Sequence, residues 1–393
     1  MAIILFDDHA HYTLLPLTYT RPVANLRIGI LTIAEKWAKY LHTDFSYHTS
    51  AYLQGMFPVK LEADNLFING SVCPDEHLLE AIDKLQTGEA LQRNGSILAV
   101  RLNESDARKF TPEQKYDRIV QHEPAIINIR FPEDIFRKND IELRRDFQLL
   151  TKGRSSAVIS STNTIIGNDF FAEQDAVAEC STFNTKNGPI YLGNQTEVWE
   201  GAHIRGGMAL CDDSQIKMGT KIYGATTIGP KCRVGGEINN AVIWGHSSKG
   251  HEGYLGNSVL GEWCNIGADS NNSNLKNNYT EVKLWDYNTG HFRKTGLQFC
   301  GLVMGDHSKC GINTMFNTGT VVGVSANVFG AGYPRNFVPD FSWGGEHHLE
   351  VYKLNKAFET IERVYARRNK QLNDTEKQML QEVFNLTQSY RRF

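Results

Sequence analysis

The chain has 393 residues and a mass of 44.3 kDa, a size that fits two or three domains. Its 41% hydrophobic and 22% charged residues are typical of a globular protein and exclude a largely disordered one. The net charge of −3 argues against nucleic-acid or membrane-surface partners. Seven cysteines without a CxxC motif predict reduced thiols in a cytoplasmic protein, and no segment approaches the roughly 18 apolar residues of a membrane helix.

Strands and helices alternate in the first 152 residues. The hydrophobic pattern predicts elements in the order strand, helix, strand, helix, strand: Ala2–Phe6, Leu31–Leu41, Asn65–Ile68, His77–Leu85 and Ser96–Leu102. This alternation predicts an α/β domain with a largely parallel sheet over residues 1–152.

A six-residue repeat follows. Stepping by six gives an aliphatic residue eight times in succession, at Leu192, Val198, Ile204, Leu210, Ile216, Ile222, Ile228 and Val234. The pattern returns at Leu260 and Ile266 and again from Met304 to Val328, and a weaker copy comes earlier at Ile166, Ala172 and Ala178. A period of six fits neither an amphipathic helix nor a half-buried strand alone, but it fits short strands joined by tight turns. The sequence therefore predicts an all-β parallel β-helix over residues 153–345, with glycine-rich loops as the alternative.

Two stretches interrupt the repeat. Asn239–Gly253 separates Val234 from Leu260, and a longer insert separates Ile266 from Met304. Interruptions in a solenoid usually form loops on one face, which is often the binding face. After residue 345 glycine disappears, and helical spacing predicts a tail of two helices over residues 346–393, carried by Leu354, Phe358, Ile361 and Tyr365 and then by Met379, Val383 and Phe384.

The densest group of polar residues lies in and after the first interruption. Its parts are Lys249-Gly250-His251, Tyr254-Leu255-Gly256, Asn265-Ile266-Gly267-Ala268 and the asparagine-rich run Asn272–Asn277. In spacing and wording this group resembles the acetyltransferase half of the bifunctional N-acetylglucosamine-1-phosphate uridyltransferase/glucosamine-1-phosphate N-acetyltransferase family, and the asparagine-rich run is similar to the archaeal-type branch. The resemblance implies a left-handed β-helix and a homotrimer with an acyl site between adjacent β-helices.

Acetyl transfer to an amino sugar needs a base that takes a proton from the attacking amine, and a neutral histidine suits this task. A fixed backbone N–H can stabilise the oxyanion that forms at the thioester carbonyl. His251 is the candidate base, with Glu252 or a backbone carbonyl to orient it. The resemblance implies Ala268 as the oxyanion donor, Tyr254 and Asn265 as ligands of the sugar hydroxyls, and Asn274 as the residue that positions the acetyl group and the amine. The sugar phosphate could be bound by Lys249, Lys276 or Lys283.

A metal site is the competing interpretation of this region. His246 and His251 are five residues apart, a spacing also found in γ-class carbonic anhydrases, which share the β-helix and bind zinc through three histidines. A zinc site needs a third protein ligand. That family's third position corresponds to Leu210, which cannot bind zinc.

The N-terminal segment resembles the nucleotidyltransferase half of the same bifunctional family. The resemblance rests on Leu14–Val23, on Leu31–Trp37 and on Phe67–Ser71, which stands where that family has a strand ending in Gly-Asp. The family's G-x-G-T-R loop is absent, and Ser71 replaces the carboxylate that binds Mg²⁺. Asp7 or Asp8 could supply carboxylates instead, and Arg21 could meet the nucleotide phosphates or pair with one of these aspartates.

Together these features predict an enzyme of UDP-N-acetylglucosamine biosynthesis. Its β-helix would use acetyl-CoA to acetylate glucosamine 1-phosphate, and its N-terminal domain would use UTP and Mg²⁺ to transfer a uridylyl group. Its partners would be these small molecules, with neither nucleic acid nor membrane among them. Two alternatives remain: a non-catalytic or regulatory sugar-nucleotide-binding protein, and a sugar-1-phosphate nucleotidyltransferase of other specificity.

Overall fold

The computed structural model describes residues 1–393, which form two compact units. The first unit consists of Met1–Leu26, Leu31–Phe131 and Asp374–Met379, and the second of Arg27–Ile30, Pro132–Asn373 and Leu380–Phe393. The domain boundaries at residues 152 and 345 stay predictions. None of the helices has the length and apolar character needed to span a bilayer.

The first unit is built on a six-stranded sheet with the order β2-β1-β3-β5-β4-β6. Its elements in chain order are β1 (Ala2–Phe6), α1 (Ala10–Thr13), α2 (Ile33–Leu41), β2 (Phe45–His48), β3 (Asp64–Asn69), α3 (Glu76–Asp83), β4 (Glu89–Arg93), β5 (Ser96–Asn103), α4 (Glu104–Ala107) and β6 (Arg118–Gln121). Thr32 and Glu35 form a capping box that starts α2, because each side chain accepts a hydrogen bond from the other's backbone N–H. The five predicted elements are all present, with ends shifted by at most two residues.

The prediction of a largely parallel sheet is wrong, because the sheet is mixed. β1 pairs in parallel with β2 and β3, whereas β5 is antiparallel to both β3 and β4. The physical reason is a tight hairpin between β4 and β5 at Asn94-Gly95, whose φ angles of 49° and 80° suit a two-residue turn of this kind. The Asn-Gly pair is the sequence signal that identifies this hairpin.

The main segment of the second unit starts with a 20-residue helix, α5 (Pro132–Thr151), which the sequence pattern did not predict. Its buried face carries polar side chains, so the apolar period that marks a helix is weak. Asn139 Oδ1 accepts from Gly29 N at 2.7 Å, and Asp146 Oδ2 accepts from Ile30 N at 2.7 Å. These bonds satisfy two of the buried polar side chains of the helix.

A parallel β-helix makes up most of the second unit, and its strands occupy three faces in rotation. The first face contains β7 (Thr164–Ile166), β10 (Thr182–Asn184), β13 (His203–Arg205), β16 (Lys221–Tyr223), β19 (Glu237–Asn239) and β22 (Tyr254–Gly256), with the short pair β24 (Asn271–Asn272) and β29 (Met315–Phe316) beyond them. The second face contains β8 (Phe170–Ala172), β11 (Ile190–Leu192), β14 (Met208–Leu210), β17 (Thr226–Ile228), β20 (Val242–Ile243), β23 (Val259–Leu260), β27 (Val303–Met304), β30 (Val321–Val322) and β32 (Phe337–Val338). The third face contains β9 (Val177–Ala178), β12 (Glu197–Val198), β15 (Gln215–Ile216), β18 (Arg233–Val234), β21 (Ser248–Lys249), β28 (Lys309–Cys310), β31 (Asn327–Val328) and β33 (Ser342–Gly344).

The six-residue repeat marks the interior of this β-helix, as predicted. All eight aliphatic residues from Leu192 to Val234 are at most 2% exposed and belong to one core cluster. In the weak first copy, Ala172 and Ala178 are interior as predicted, but the first position is off by one, because Ile165, not Ile166, pairs with the buried Phe183. The predicted fold class is therefore confirmed, with the α/β unit and the β-helix both present.

The first interruption proves not to be a loop insertion. β19, β20, β21 and β22 continue the three faces through it, and only the turns between them shorten. The interior positions are Ile238, Ile243, Lys249 and Leu255. Steps of four and five residues after Val234 shift the repeat out of phase, while the coil itself is kept.

The second interruption does leave the β-helix. It contains the antiparallel hairpin β25 (Lys283–Asp286) and β26 (His291–Lys294), after which the coils resume at β27. The final strand, β34 (Leu349–Val351), pairs with β33, and the predicted tail helices are α6 (Leu354–Ala366) and α7 (Asp374–Leu386).

Candidate active site

His251 lies in the turn between β21 and β22. Its side chain is exposed and makes neither a hydrogen bond nor an ion pair within the chain. Gly253 closes the turn with a φ of 119°, a conformation that favours glycine, and a Cβ at this position would lie 2.2 Å from Ser270 O. The sequence thus presents a solvated imidazole on a closely packed backbone.

Ala268 occupies the same corner on the next coil. Asp269 N donates to Glu252 O at 3.0 Å, which places the His251-Glu252 pair against the Ala268-Asp269 pair. The Ala268 carbonyl accepts from Asn313 N at 2.8 Å, while its amide donates to no other group in the chain. The candidate base and the candidate backbone donor therefore lie on adjacent turns.

Tyr254 and Asn274, 20 residues apart, are in direct contact. Asn274 Nδ2 donates to the Tyr254 hydroxyl at 3.0 Å and to Asn257 Oδ1 at 2.7 Å. The tyrosine ring lies over Gly256, where a Cβ would approach its hydroxyl to 2.3 Å. The two side chains hold each other beside the turn that carries His251.

The other predicted sugar and phosphate ligands lie apart from this pair. Asn265 is exposed on the third face, between its bridge partners Ser248 and Lys309. Lys276 Nζ donates to Glu281 O at 2.9 Å inside the insert, and Lys283 is exposed on β25. The Glu252 side chain is exposed and makes no hydrogen bond to His251.

Lys249 points into the β-helix. It is 2% exposed, and its Nζ donates to His251 O at 2.6 Å. Burial lowers the pKa of Lys249 to about 8, since the charged form is less well solvated inside the protein. Its ammonium group faces backbone rather than solvent.

A groove of about 550 Å³ on the first face adds basic residues that sequence analysis did not single out. His203, Arg205 and Lys221 line it and are exposed. Lys221 pairs with Glu237, which in turn pairs with Tyr254. Two strand spacings separate Lys221 from Tyr254, a distance of about 10 Å. In the sequence these residues flank the buried Ile204 and precede the buried Ile222, and the alternation along β13 and β16 could have identified them as outward-facing.

In the first unit, Asp7 is fully engaged by protein donors. Its Oδ1 accepts from Val23 N at 2.8 Å, and its Oδ2 contacts Thr49 Oγ1 at 2.5 Å and His11 Nδ1 at 3.1 Å. Arg21 is also buried, at 8% exposure. Both residues are enclosed by the fold of the first unit.

Asp8 instead lines a cleft of about 530 Å³ at the carboxyl ends of β1 and β3, together with Asn69, Lys115 and Arg130. Its carboxylate accepts from Ala10 N at 2.8 Å and from Asn69 Nδ2 at 2.9 Å. Ser71 is buried and donates to Asn69 Oδ1 at 2.6 Å. The structure thus separates the two aspartates: Asp8 borders the cleft, and Asp7 lies in the core.

The next feature is the grouping of side chains that could bind a metal ion. No three or more His, Cys, Asp or Glu side chains group together in a way that could hold a metal ion. His246, proposed from its spacing as a zinc ligand, stacks on Trp263 with ring centroids 3.8 Å apart, and burial lowers its pKa to about 4. For Mg²⁺, which prefers carboxylate oxygens and retains several waters, Asp8 fits as a single protein ligand.

Residues 3–155 match the family model described as sugar nucleotidyl transferase. Two curated relatives are similar to parts of this chain. The Bifunctional protein GlmU of Synechococcus elongatus is 25% identical over 45% of this chain and 33% of its own length. The Bifunctional sugar-1-phosphate nucleotidylyltransferase/acetyltransferase of Sulfurisphaera tokodaii is 27% identical over 36% of this chain and 39% of its own length. The matches thus span between a third and two fifths of these relatives.

Among solved structures, the UDP-N-acetylglucosamine acyltransferase from Campylobacter jejuni is 15% identical, with a TM-score of 0.24 over 59% of this chain and 83% of its own. Within this chain, a segment that matches a sugar nucleotidyl transferase model is followed by a parallel β-helix. The resemblance to the bifunctional family that the sequence predicts is confirmed by these matches.

Proposed function

We propose that the β-helix transfers an acetyl group from acetyl-CoA to the amine of a hexosamine 1-phosphate, with glucosamine 1-phosphate as the substrate. The observation that carries this proposal is the juxtaposition of the unpartnered His251 imidazole with the free Ala268 amide on the next coil. A base and an oxyanion donor at one corner are the two groups that acyl transfer requires.

In this reaction, His251 accepts a proton from the amine as its nitrogen attacks the thioester carbonyl carbon. The new C–N bond leaves negative charge on the carbonyl oxygen, which the Ala268 N–H stabilises. Collapse of the intermediate breaks the C–S bond, and the CoA thiolate leaves and is protonated. Tyr254 and Asn274 bind the sugar and the acetyl group beside this corner, and Asn265 remains a proposed sugar ligand.

The sugar phosphate is proposed to reach the basic groove. Lys221 supplies positive charge about 10 Å from Tyr254, within the span of a hexose phosphate, and Arg205 lies one strand further along the groove. Lys276 and Lys283 remain proposed phosphate ligands from the insert. A homotrimer is also proposed, and light scattering at micromolar concentration should give three times the chain mass.

The test measures CoA release from acetyl-CoA with glucosamine 1-phosphate and with other amino-sugar phosphates. His251→Ala should lower the rate roughly a hundredfold or more. His347→Ala, which changes an exposed histidine elsewhere, is the matched control and should retain the wild-type rate. Wild-type protein that releases no CoA with any of these sugars would refute the proposal and favour a non-catalytic sugar-nucleotide binder.

For the first unit, we propose nucleotidyl transfer from UTP to N-acetylglucosamine 1-phosphate with release of pyrophosphate. The sugar nucleotidyl transferase match and the cleft lined by Asp8, Lys115 and Arg130 support this second activity. The sugar phosphate oxygen attacks the α-phosphorus, and the cleft's basic groups offset charge on the leaving pyrophosphate. Mg²⁺, when bound at Asp8, would neutralise charge on the transferring phosphoryl group.

Pyrophosphate release should be measured with UTP, dTTP, ATP, CTP and GTP, with and without Mg²⁺. Asp8→Asn should abolish the signal, whereas Asp44→Asn, at an exposed position, should not change it. A signal with another nucleotide but not UTP would favour a nucleotidyltransferase of other specificity. No signal with any nucleotide would refute the activity.

A further inference from the structure

Lys249 breaks an otherwise apolar column. On the third face, the inward positions of successive coils are Ala178, Val198, Ile216, Val234 and then Lys249, which is paired directly with Val234. The coils beyond it return to Ile266, Cys310 and Val328. A lysine in such a column gives up its hydration, a cost that an aliphatic residue would not carry.

The Lys249 ammonium donates to a backbone carbonyl of the neighbouring turn. Lys249 Nζ lies 2.6 Å from His251 O, two residues along the chain. The coil below makes room for this contact, because a Cβ on Gly236 would lie 2.9 Å from both Lys249 Nζ and His251 O. Gly236 has a φ of 76°, so its conformation also favours glycine.

The His251 turn needs such a support. Gly250 precedes His251 and Gly253 follows Glu252, so the turn is bracketed by residues with the greatest backbone freedom. The imidazole itself makes no hydrogen bond in the chain. The orientation of the base therefore depends on its backbone, and a charge-assisted bond to the His251 carbonyl is a strong way to fix it.

We propose that Lys249 is a positioning residue that holds the His251 turn from inside the β-helix and so aims the imidazole at the reacting amine. The inference rests on the proposed acetyl transfer and deepens it. Lys249 touches no substrate and acts only through the His251 carbonyl. Displacing a catalytic group by about 1 Å is enough to cost on the order of a hundredfold in rate.

The experiment compares wild type with Lys249→Met, which keeps an unbranched apolar chain as far as Cε but lacks the terminal nitrogen that donates. We expect kcat to fall roughly 10- to 100-fold while KM for acetyl-CoA stays within twofold. Lys249→Gln, which retains an N–H donor, should recover part of the loss. Ile216→Met is the matched control, because it alters the same column two coils away and should leave kcat unchanged.

A second measurement does not depend on activity. The turn can be followed through the amides of Glu237 and Asp269, which donate to its Gly253 and Glu252 carbonyls at 3.1 and 3.0 Å. Hydrogen exchange of these two amides should accelerate in Lys249→Met and remain unchanged in Ile216→Met, with the rest of the β-helix protected in both. Unchanged exchange of these two amides, or unchanged kcat in an active enzyme, would overturn the positioning role. If the wild type shows no acetyl transfer but the turn loosens in Lys249→Met, the proposed function fails while the structural support of His251 by Lys249 stands.

Discussion

Replacing Lys249 by Met should stabilise the fold at neutral pH even as it slows the proposed acetyl transfer. Burial lowers the pKa of this lysine from 10.5 to about 8. At 1.36 kcal/mol per pKa unit, the charged form costs the folded state about 3 kcal/mol at pH 7. The variant also loses the hydrogen bond to His251 O, which destabilises it by about 1 kcal/mol and offsets part of this gain. Lys249→Met should therefore be more stable than wild type by about 2 kcal/mol at pH 7.

The pH dependence gives this prediction its distinctive sign. Between pH 8 and pH 10.5 the lysine is protonated in the unfolded chain and neutral in the folded protein. The stability of the wild type therefore rises with pH through this window relative to that of the variant. By about pH 10.5 the advantage of Lys249→Met should have disappeared.

Urea unfolding followed by fluorescence at intervals from pH 7 to pH 10.5 measures both quantities. Ile216→Met, which carries no titratable change, should follow the wild-type profile with a constant offset. Parallel profiles for wild type and Lys249→Met would show that Lys249 titrates normally, and the reasoning from its burial would be refuted.

Three further predictions concern other positions. Tyr254→Phe removes the hydroxyl that accepts from Asn274 and should lower kcat/KM for the amino sugar about fivefold in the CoA-release assay, a cost of about 1 kcal/mol. Gly236→Ala places a Cβ 2.9 Å from Lys249 Nζ on a residue whose φ of 76° favours glycine. The variant should have a free energy of unfolding in urea that is about 1–3 kcal/mol lower, and its acetyl transfer should be slower. Asp340 is fully buried, and burial raises its pKa from 3.8 to about 6, so the free energy of unfolding of the wild type should fall by about 3 kcal/mol as the pH rises from 4 to 6. In urea unfolding across this pH range Asp340→Asn should lack this fall. An identical fall in the variant would show that another group causes it.

The sequence by itself determined the architecture of the β-helix. One aliphatic residue in six is a local signal, because each coil buries that position whatever lies above or below it. The eight residues from Leu192 to Val234 are accordingly all interior. The same local reasoning found α2 through its hydrophobic pattern, and the spacing of His251, Tyr254, Ala268 and Asn274 identified them as candidates.

Only the tertiary structure decided which of these residues meet. The contact between Tyr254 and Asn274 and the adjacency of the His251 and Ala268 turns depend on how coils stack, which no local pattern specifies. The shortened turns after Val234 hide the period of six and place Lys249 inside, where its sequence neighbours suggest a surface.

The first unit shows the same limit. The Asn94-Gly95 turn signals the β4–β5 hairpin locally, but the antiparallel pairing of β5 with β3 is long-range, and the alternation of strands and helices could not reveal it. The cleft joins Asp8 with Arg130 across more than a hundred residues of sequence. Two adjacent aspartates are equivalent in the sequence, and packing alone buries Asp7 in a hydrogen-bond network while leaving Asp8 at the cleft.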